Sequence, residues 1–256
     1  MIRILVTNDD GVRSEGIVAL ADALKPLGEV TIVAPLHEAS AIGHALTLRR
    51  PLRLETFGER VFAVDGTPTD CVNIAITTVL QGKPDLVVSG INKGWNLGDD
   101  ITYSGTVSGA FEGALLGVAS IAVSLQYVGD MTFDFGESAR AAHLVAKSVL
   151  QKGLPAQTFL NINVPKGATK GFRVTVQAKR NHVTKVTERV DPRGGKYFWI
   201  EEGQNEWEPH DRSDYQAVRD GYVSVTPLQP DLTAYSLIPT IEEFPFAVGT
   251  GVRSQR

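Results

Sequence analysis

Along the first two-thirds of the chain, short apolar runs alternate with segments whose apolar residues recur at helical spacing. Residues 2–7 form an apolar, β-branched run that leads into an acidic loop. Ile17, Leu20, Ala21, Leu24 and Leu27 then repeat with the period of a helix, which Gly28 stops. Residues 30–34 read as a second buried strand, and 52–56 with 60–64 as a hairpin across a glycine-centred turn. A helix capped by Thr69 or Asp70 is expected to run to about Leu80. A strand over 85–89, a helix over 105–116, a strand over 121–125, a helix near 137–151 and a strand over 159–164 complete the series. Strands that are apolar almost throughout, separated by helices, predict a parallel sheet covered on both faces.

After about Pro165 the pattern changes. Residues 172–179, 182–190 and 196–201 alternate polar and apolar side chains, with the turn DPRGG at 191–195. This predicts an antiparallel hairpin arm projecting from the sheet and gripping a second subunit. A last core strand over 222–226 and a polar tail follow. The expectation is one integrated α/β unit, a Rossmann-like core over 1–165 and an arm, strand and tail over 166–256.

Composition narrows the function without choosing it. With 25 Lys and Arg against 29 Asp and Glu, the net charge of −4 supplies no basic field for a nucleic-acid polymer. The longest apolar stretch, 114–125, is about half of what crosses a bilayer. The opening MIRILVTNDDG lacks the pattern of a secretory leader. A lone Cys71 forms no internal disulfide and suits a reducing, cytoplasmic setting; its apolar context makes it a core thiol.

In open parallel sheets ligands collect beyond the carboxyl ends of the strands. Three polar clusters fall on that edge: Asn8, Asp9, Asp10 and Gly11 after the first strand; His37, Glu38 and Ser40 after the second; and the run from Ser89 to Asp100, with Tyr103 to Val107, after the third. Adjacent Asp9 and Asp10 are either a turn and helix start or a repulsive pair that a hard divalent cation neutralises; Mg²⁺ or Mn²⁺ fits better than Zn²⁺ because no His or Cys cluster is near. Gly90, Gly94, Gly98 and Gly105 let backbone approach a ligand, and Ser104, Gly105 and Thr106 open a helix whose free N–H groups favour phosphate. The spacing matches neither a P-loop nor GxGxxG. Trp95 is either a packing residue or a platform for a base, and His143 lies on a helix with no metal-ligand partner.

These residues resemble the SurE nucleotidases (survival protein E). The resemblance is carried by NDDG at 8–11, the loop at 34–47 with Ser40, GTPTDCV at 66–72, SGINKGWNLGDD at 89–100, YSGTV at 103–107, Asp214, and GYVSVTPL at 221–228. It implies a Rossmann-like three-layer fold and a divalent-metal-dependent phosphatase of nucleoside 5′- and 3′-monophosphates, with short polyphosphate as a further substrate. By the same resemblance one Mg²⁺ or Mn²⁺ is held by Asp9, Asp10, Ser40 and Asn92. Asn96, Ser104, Gly105 and Thr106 bind the phosphate, with Asn8 on the substrate side. It also implies homodimers or homotetramers joined through the C-terminal arm. The second loop departs from the family, which commonly has an acid at 36, an Arg at 39 and a Gly at 41, where this chain has Leu36, Ala39 and Ala41. Asp9 or Asp10, with Asp9 preferred, is the expected proton acceptor. Two alternatives stand beside this: an aspartyl-phosphate phosphatase, which adjacent aspartates suit poorly, and a non-catalytic nucleotide-sensing module.

Overall fold

The computed structural model describes residues 1–127, 132–181, 184–202 and 206–246. Its elements in chain order are β1 (Arg3–Thr7), α1 (Glu15–Leu24), β2 (Glu29–Pro35), β3 (Leu54–Gly58), β4 (Val61–Val64), α2 (Pro68–Ile74), β5 (Leu86–Lys93), α3 (Gly105–Leu115), β6 (Ser120–Leu125), α4 (Gly136–Lys152) and β7 (Phe159–Val164). The later part adds β8 (Phe172–Val174), β9 (Arg180–Asn181), β10 (Thr184–Val190), β11 (Lys196–Glu202), β12 (Glu206–Trp207), α5 (Asp214–Arg219), β13 (Val223–Leu228) and α6 (Ile238–Glu242).

One sheet of the described residues runs β3-β4-β2-β1-β5-β6-β7-β13-β8. The strands from β4 to β7 in that order are parallel; β13 is antiparallel to β7, and β3 to β4. Alternate residues of each strand serve two layers. Ile4, Val6, Leu86, Val88, Ile121 and Val123 pack with Ile17, Leu20 and Leu24 of α1 and Ala142 and Ala146 of α4. On the opposite face Leu5, Val33 and Val87 pack with Cys71 and Val72 of α2, and Ala122 and Phe159 with Val107, Ala110 and Ala114 of α3. The expected three-layer α/β sandwich is the observed fold. The chain runs outward from β1 through β2 to β4, then returns to lay β5 on the other side of β1. That reversal opens a crevice between the carboxyl ends of β1 and β5.

The helix caps explain where helices begin. Ser14 accepts from the Ile17 N–H ahead of α1. Ahead of α2 the cap is Thr67, not Thr69 or Asp70 as expected. Thr67 and Asp70 form a reciprocal capping box with Pro68 in the first turn, and Asp70 is the third helical residue. The helix then continues into a π turn at Ala75–Val79.

One further reading is corrected, and the expected hairpin is present. The alternation at 172–179 is not an antiparallel arm strand. Only β8 forms there, parallel to β13 on the edge of the main sheet. Beyond it the buried Asp214 carboxylate accepts the Ala178 N–H at 3.0 Å and draws the chain away from that edge. The hairpin is β10 with β11, in register from Thr184↔Glu202 to Val190↔Lys196. In its turn Asp191 accepts from the N–H groups of Arg193 and Gly195, both at 2.8 Å. His182, in the strand expected at 182–190, lies outside the described residues. Among the described residues no helix is long and apolar enough to cross a membrane.

Helix α3 meets the sheet through glycines that recur every fourth residue on its inner face. A Cβ on Gly109 would sit 2.8 Å from Ser89 Oγ and 2.9 Å from Thr7 Cγ2, and one on Gly113 within 3.0 Å of Val87. Residues four apart share one helix face. This stripe sets how near the N-terminus of α3 comes to the end of β1.

Candidate active site

The end of β1 and the start of α3 meet at Asp9. Its carboxylate is buried and accepts from the Thr106 hydroxyl. Gly105 completes the approach, since a Cβ there would lie 2.7 Å from Asp9 Cβ. Burial pushes the Asp9 carboxyl up to about 6; the Thr106 bond opposes this and the neighbouring Asp10 charge adds to it. Asp10 is also raised, first by burial and further by Glu38, while Lys93 opposes through its ammonium and its backbone N–H. Asp10 Oδ2 is buried without a hydrogen-bond partner.

The loop carrying both aspartates is held by Asn8, whose amide donates to the Gly11 carbonyl at 3.0 Å and to Ser14 Oγ at 2.8 Å. Asn8 therefore spends its donors on the turn. The loop after β2 is tied to the same place: Val12 N–H donates to the Pro35 carbonyl, and Ala39 N–H to the Asp9 carbonyl at 2.8 Å. Ser40, next in sequence, is exposed and donates to Glu38 at 2.7 Å. Ala41 has φ +53, a left-handed backbone that suits the glycine of the family pattern better than alanine.

On β5 the pairing with β6 shifts register between Ser89 and Asn92. Gly90 makes the shift possible: its φ is +140 and a Cβ would fall 2.4 Å from the Val123 carbonyl oxygen. Such a bulge re-aims the residues after it. Asn92 follows, half-buried, with its amide on the Gly94 carbonyl at 2.9 Å. Asn96 is anchored deeper. Its amide donates to Ser124 Oγ, its N–H to Asn163 Oδ1 at 2.7 Å, and its carbonyl accepts from Asn161 and Asn163. Ser104 caps α3 by accepting from the Val107 N–H at 3.1 Å.

A second network fixes the outer wall. His44 Nε2 lies 2.7 Å from Glu112 Oε2, and Asn73 donates to the other Glu112 oxygen at 2.6 Å. These two bonds outweigh burial and hold the Glu112 carboxyl below its usual range. Gly43 N–H donates to the Tyr103 carbonyl, so the 36–44 loop leans on the segment before Ser104.

The sequence-predicted residues thus divide. Asp9, Asp10, Gly105 and Thr106 are brought together directly. Ser40 and Asn92 approach through backbone ties. Asn8, Asn96 and Ser104 are engaged in holding loops and a helix end. Glu38 and Lys93 fall in the edge clusters read from the sequence but were given no role there, and the Asn161–Asn163 pair was missed. The asparagines leave a sequence signal, polar residues in an otherwise apolar strand run. Cys71 is a buried core thiol pushed well above its usual range by burial, and His143 bonds the Ala23 carbonyl at 2.7 Å. Among the described residues no group of three or more His, Cys, Asp or Glu side chains gathers as a metal site. A carboxylate pair with one orphaned buried oxygen is instead chemistry that fits a hard divalent cation.

Comparison with known proteins agrees with this arrangement. The family model described as "Survival protein SurE" matches residues 4–184. A protein of Geotalea daltonii called 5′-nucleotidase SurE is 52% identical over 246 residues, 95% of this chain and 99% of its own. One of the same name from Syntrophotalea carbinolica is 53% identical over 232 residues, 91% and 93% of the two chains. The crystal structure of the SurE protein from Aquifex aeolicus superposes with a TM-score of 0.84 at 46% identity, covering 94% of this chain and 98% of that one. With family motifs in order, near-complete coverage and the same fold, this chain belongs to the SurE family.

Proposed function

We propose that this protein is a divalent-metal-dependent phosphatase that hydrolyses nucleoside 5′- and 3′-monophosphates to nucleoside and phosphate. The observation that carries the reading is the buried Asp9–Asp10 pair with its orphaned oxygen, set against the N-terminus of α3 at the sheet's switch point. The names of the relatives support the substrate class. One Mg²⁺ or Mn²⁺ would be held by Asp9, Asp10, Ser40 and Asn92. When bound, the ion supplies charge for the phosphate and lowers the pKa of water.

The chain's own groups do the rest. Asp9 takes the proton from the attacking water as general base. Thr106 holds that carboxylate in place through its hydroxyl. The backbone N–H groups at the start of α3 donate to phosphate oxygens and stabilise charge that develops on them, while Asn96 holds the adjoining loop in place. Ser40 donates its O–H to Glu38, which leaves the oxygen lone pairs by which it would serve as a ligand.

The β10–β11 hairpin exposes Val186, Tyr197, Phe198, Trp199 and Ile200, and the tail exposes Leu232, Tyr235, Ile238 and Phe246. Apolar surface of this extent supports a homodimer or homotetramer built through the region 166–256, which completes a partner and does not fold alone. A cytoplasmic setting rests on the single buried cysteine.

The test is phosphate release from nucleoside 5′- and 3′-monophosphates, sugar phosphates and short polyphosphate, with Mn²⁺, Mg²⁺ or EDTA. Metal-dependent release from nucleotides is expected. Full activity in EDTA refutes the metal role, and binding without release makes the protein a nucleotide sensor.

A further inference from the structure

Asn96 is pinned to the sheet face that α3 covers. Its partners Ser124 and Asn163 alternate with Val123, Leu125, Ile162 and Val164, which face the α1 and α4 layer. Two residues further along each strand, Gln126 and Pro165 continue the α3 face to the carboxyl edge. There they line a cavity of about 340 Å³. Trp95 and Tyr215 supply its aromatic walls, and Lys166 and Arg219 its cations; none of the described residues lining it is acidic. The volume lies within the range of small-molecule pockets.

The aromatic walls are fixed before any ligand arrives. Tyr215 stacks on Trp207 with centroids 4.3 Å apart and an interplanar angle of 9°, and Trp95 meets Tyr215 edge-on at 6.1 Å. Asp214 anchors this corner, accepting the backbone N–H groups of Gly98 at 3.1 Å and Ala178 at 3.0 Å. Trp95 and the anchored Asn96 lie on the loop after β5, the strand that neighbours β1 in the sheet. Adjacent strands are about 5 Å apart, which puts the ends of β6 and β7 roughly 10–15 Å from the end of β1. That is the reach of a nucleotide from its phosphate to its base.

We propose that this cavity is the base subsite, with the flat ring held against Trp95 and Tyr215 while the phosphate lies at Asp9 and Asp10. The inference rests on the nucleotidase reading and deepens it. Arg219 and Lys166 are donors only, and Gln126 adds an amide, so the rim suits base edges rich in acceptors. Arginine and lysine pair with the O6 and N7 of guanine and not with the amino group of adenine. GMP and IMP are therefore the preferred substrates over AMP.

The experiment uses the Mn²⁺-loaded full-length protein and compares kcat/KM for GMP, AMP and ribose 5-phosphate. In the wild type, GMP exceeds AMP, and both exceed the base-free sugar phosphate. Loss of one stacking platform is worth about 1–3 kcal/mol, so Trp95→Ala lowers the GMP to ribose 5-phosphate ratio by roughly 5- to 150-fold, mainly through KM. Trp95→Phe keeps a ring and restores most of that ratio, which a folding defect would not do. Arg219→Ala narrows the GMP to AMP ratio. An unchanged GMP to ribose 5-phosphate ratio in Trp95→Ala overturns the base subsite, as does wild-type turnover of ribose 5-phosphate equal to that of GMP. In either case the phosphatase reading stands. AMP preferred over GMP overturns the assigned specificity. A protein that releases phosphate from none of the three overturns the nucleotidase reading and this subsite with it.

Discussion

Replacing Asp9 by asparagine should make the metal-free fold more stable at pH 8 while removing its response to metal. The Asp9 carboxyl rises from 3.8 to about 6, first because burial disfavours its charge. A group whose folded pKa is raised adds stability that is fully present below the unfolded value, here 3.8. That stability is lost as pH rises through about 6, because the unfolded chain ionises first. The whole change corresponds to about 3 kcal/mol. Asparagine stays neutral, is nearly the same size and can still accept from the Thr106 hydroxyl. The variant therefore escapes the loss above pH 6. It should gain about 1–3 kcal/mol over wild type at pH 8 in EDTA, and little at pH 4. Urea denaturation of both proteins at the two pH values measures this. Adding Mn²⁺ at pH 8 should then raise the wild-type midpoint and leave Asp9→Asn unmoved, since binding to the folded state alone stabilises it. Equal stability of the two proteins at pH 8, or equal stabilisation by Mn²⁺, would refute the reasoning.

Other outcomes follow from named residues. Asp9→Asn should also cut phosphate release by at least about 100-fold, and Thr106→Val should move the acid limb of the pH–rate profile to higher pH by removing a bond that favours the ionised Asp9. Gly105→Ala and Gly109→Ala each force a Cβ to within 2.7–2.8 Å of a neighbour. Overpacking of about 1–3 kcal/mol, offset by up to about 1 kcal/mol of helix propensity, leaves similar destabilisation in thermal melts. Turnover should fall further in Gly105→Ala, whose Cβ meets Asp9. The double variant Trp199→Asp with Ile200→Asp, both exposed in the protomer, should lower the sedimenting mass and, since assembly stabilises the folded state, the melting temperature with it; an unchanged mass would remove the hairpin from the subunit interface.

Much of the fold was legible in the chain because parallel strands buried on both faces are apolar throughout, as at Val87 and Val88 or Ile121 to Val123. The acidic loop after β1 and the glycine-rich run after β5 could be placed on one edge by strand polarity alone. Less visible were features that depend on partners distant in sequence. The 172–179 segment alternates like a strand, but only Phe172–Val174 form one on the main sheet: Val176 bridges to Ser213 instead, and Asp214 claims the Ala178 N–H from the far side of the arm. Asn96 carries the composition of a ligand residue, but its neighbours on β6 and β7 decide that it is anchored.

By itself the sequence determined the layered α/β architecture, the hairpin and the chemistry available at Asp9 and Asp10, since periodicity and residue type are local properties. Only the tertiary structure decided how close α3 comes to Asp9, through glycines that matter because of what lies 3 Å away. The tertiary structure also brought Trp95 and Tyr215, 120 residues apart, into one cavity. Burial, and with it the raised Asp9 carboxyl, depends on solvent excluded by the whole assembly of elements and has no local signature.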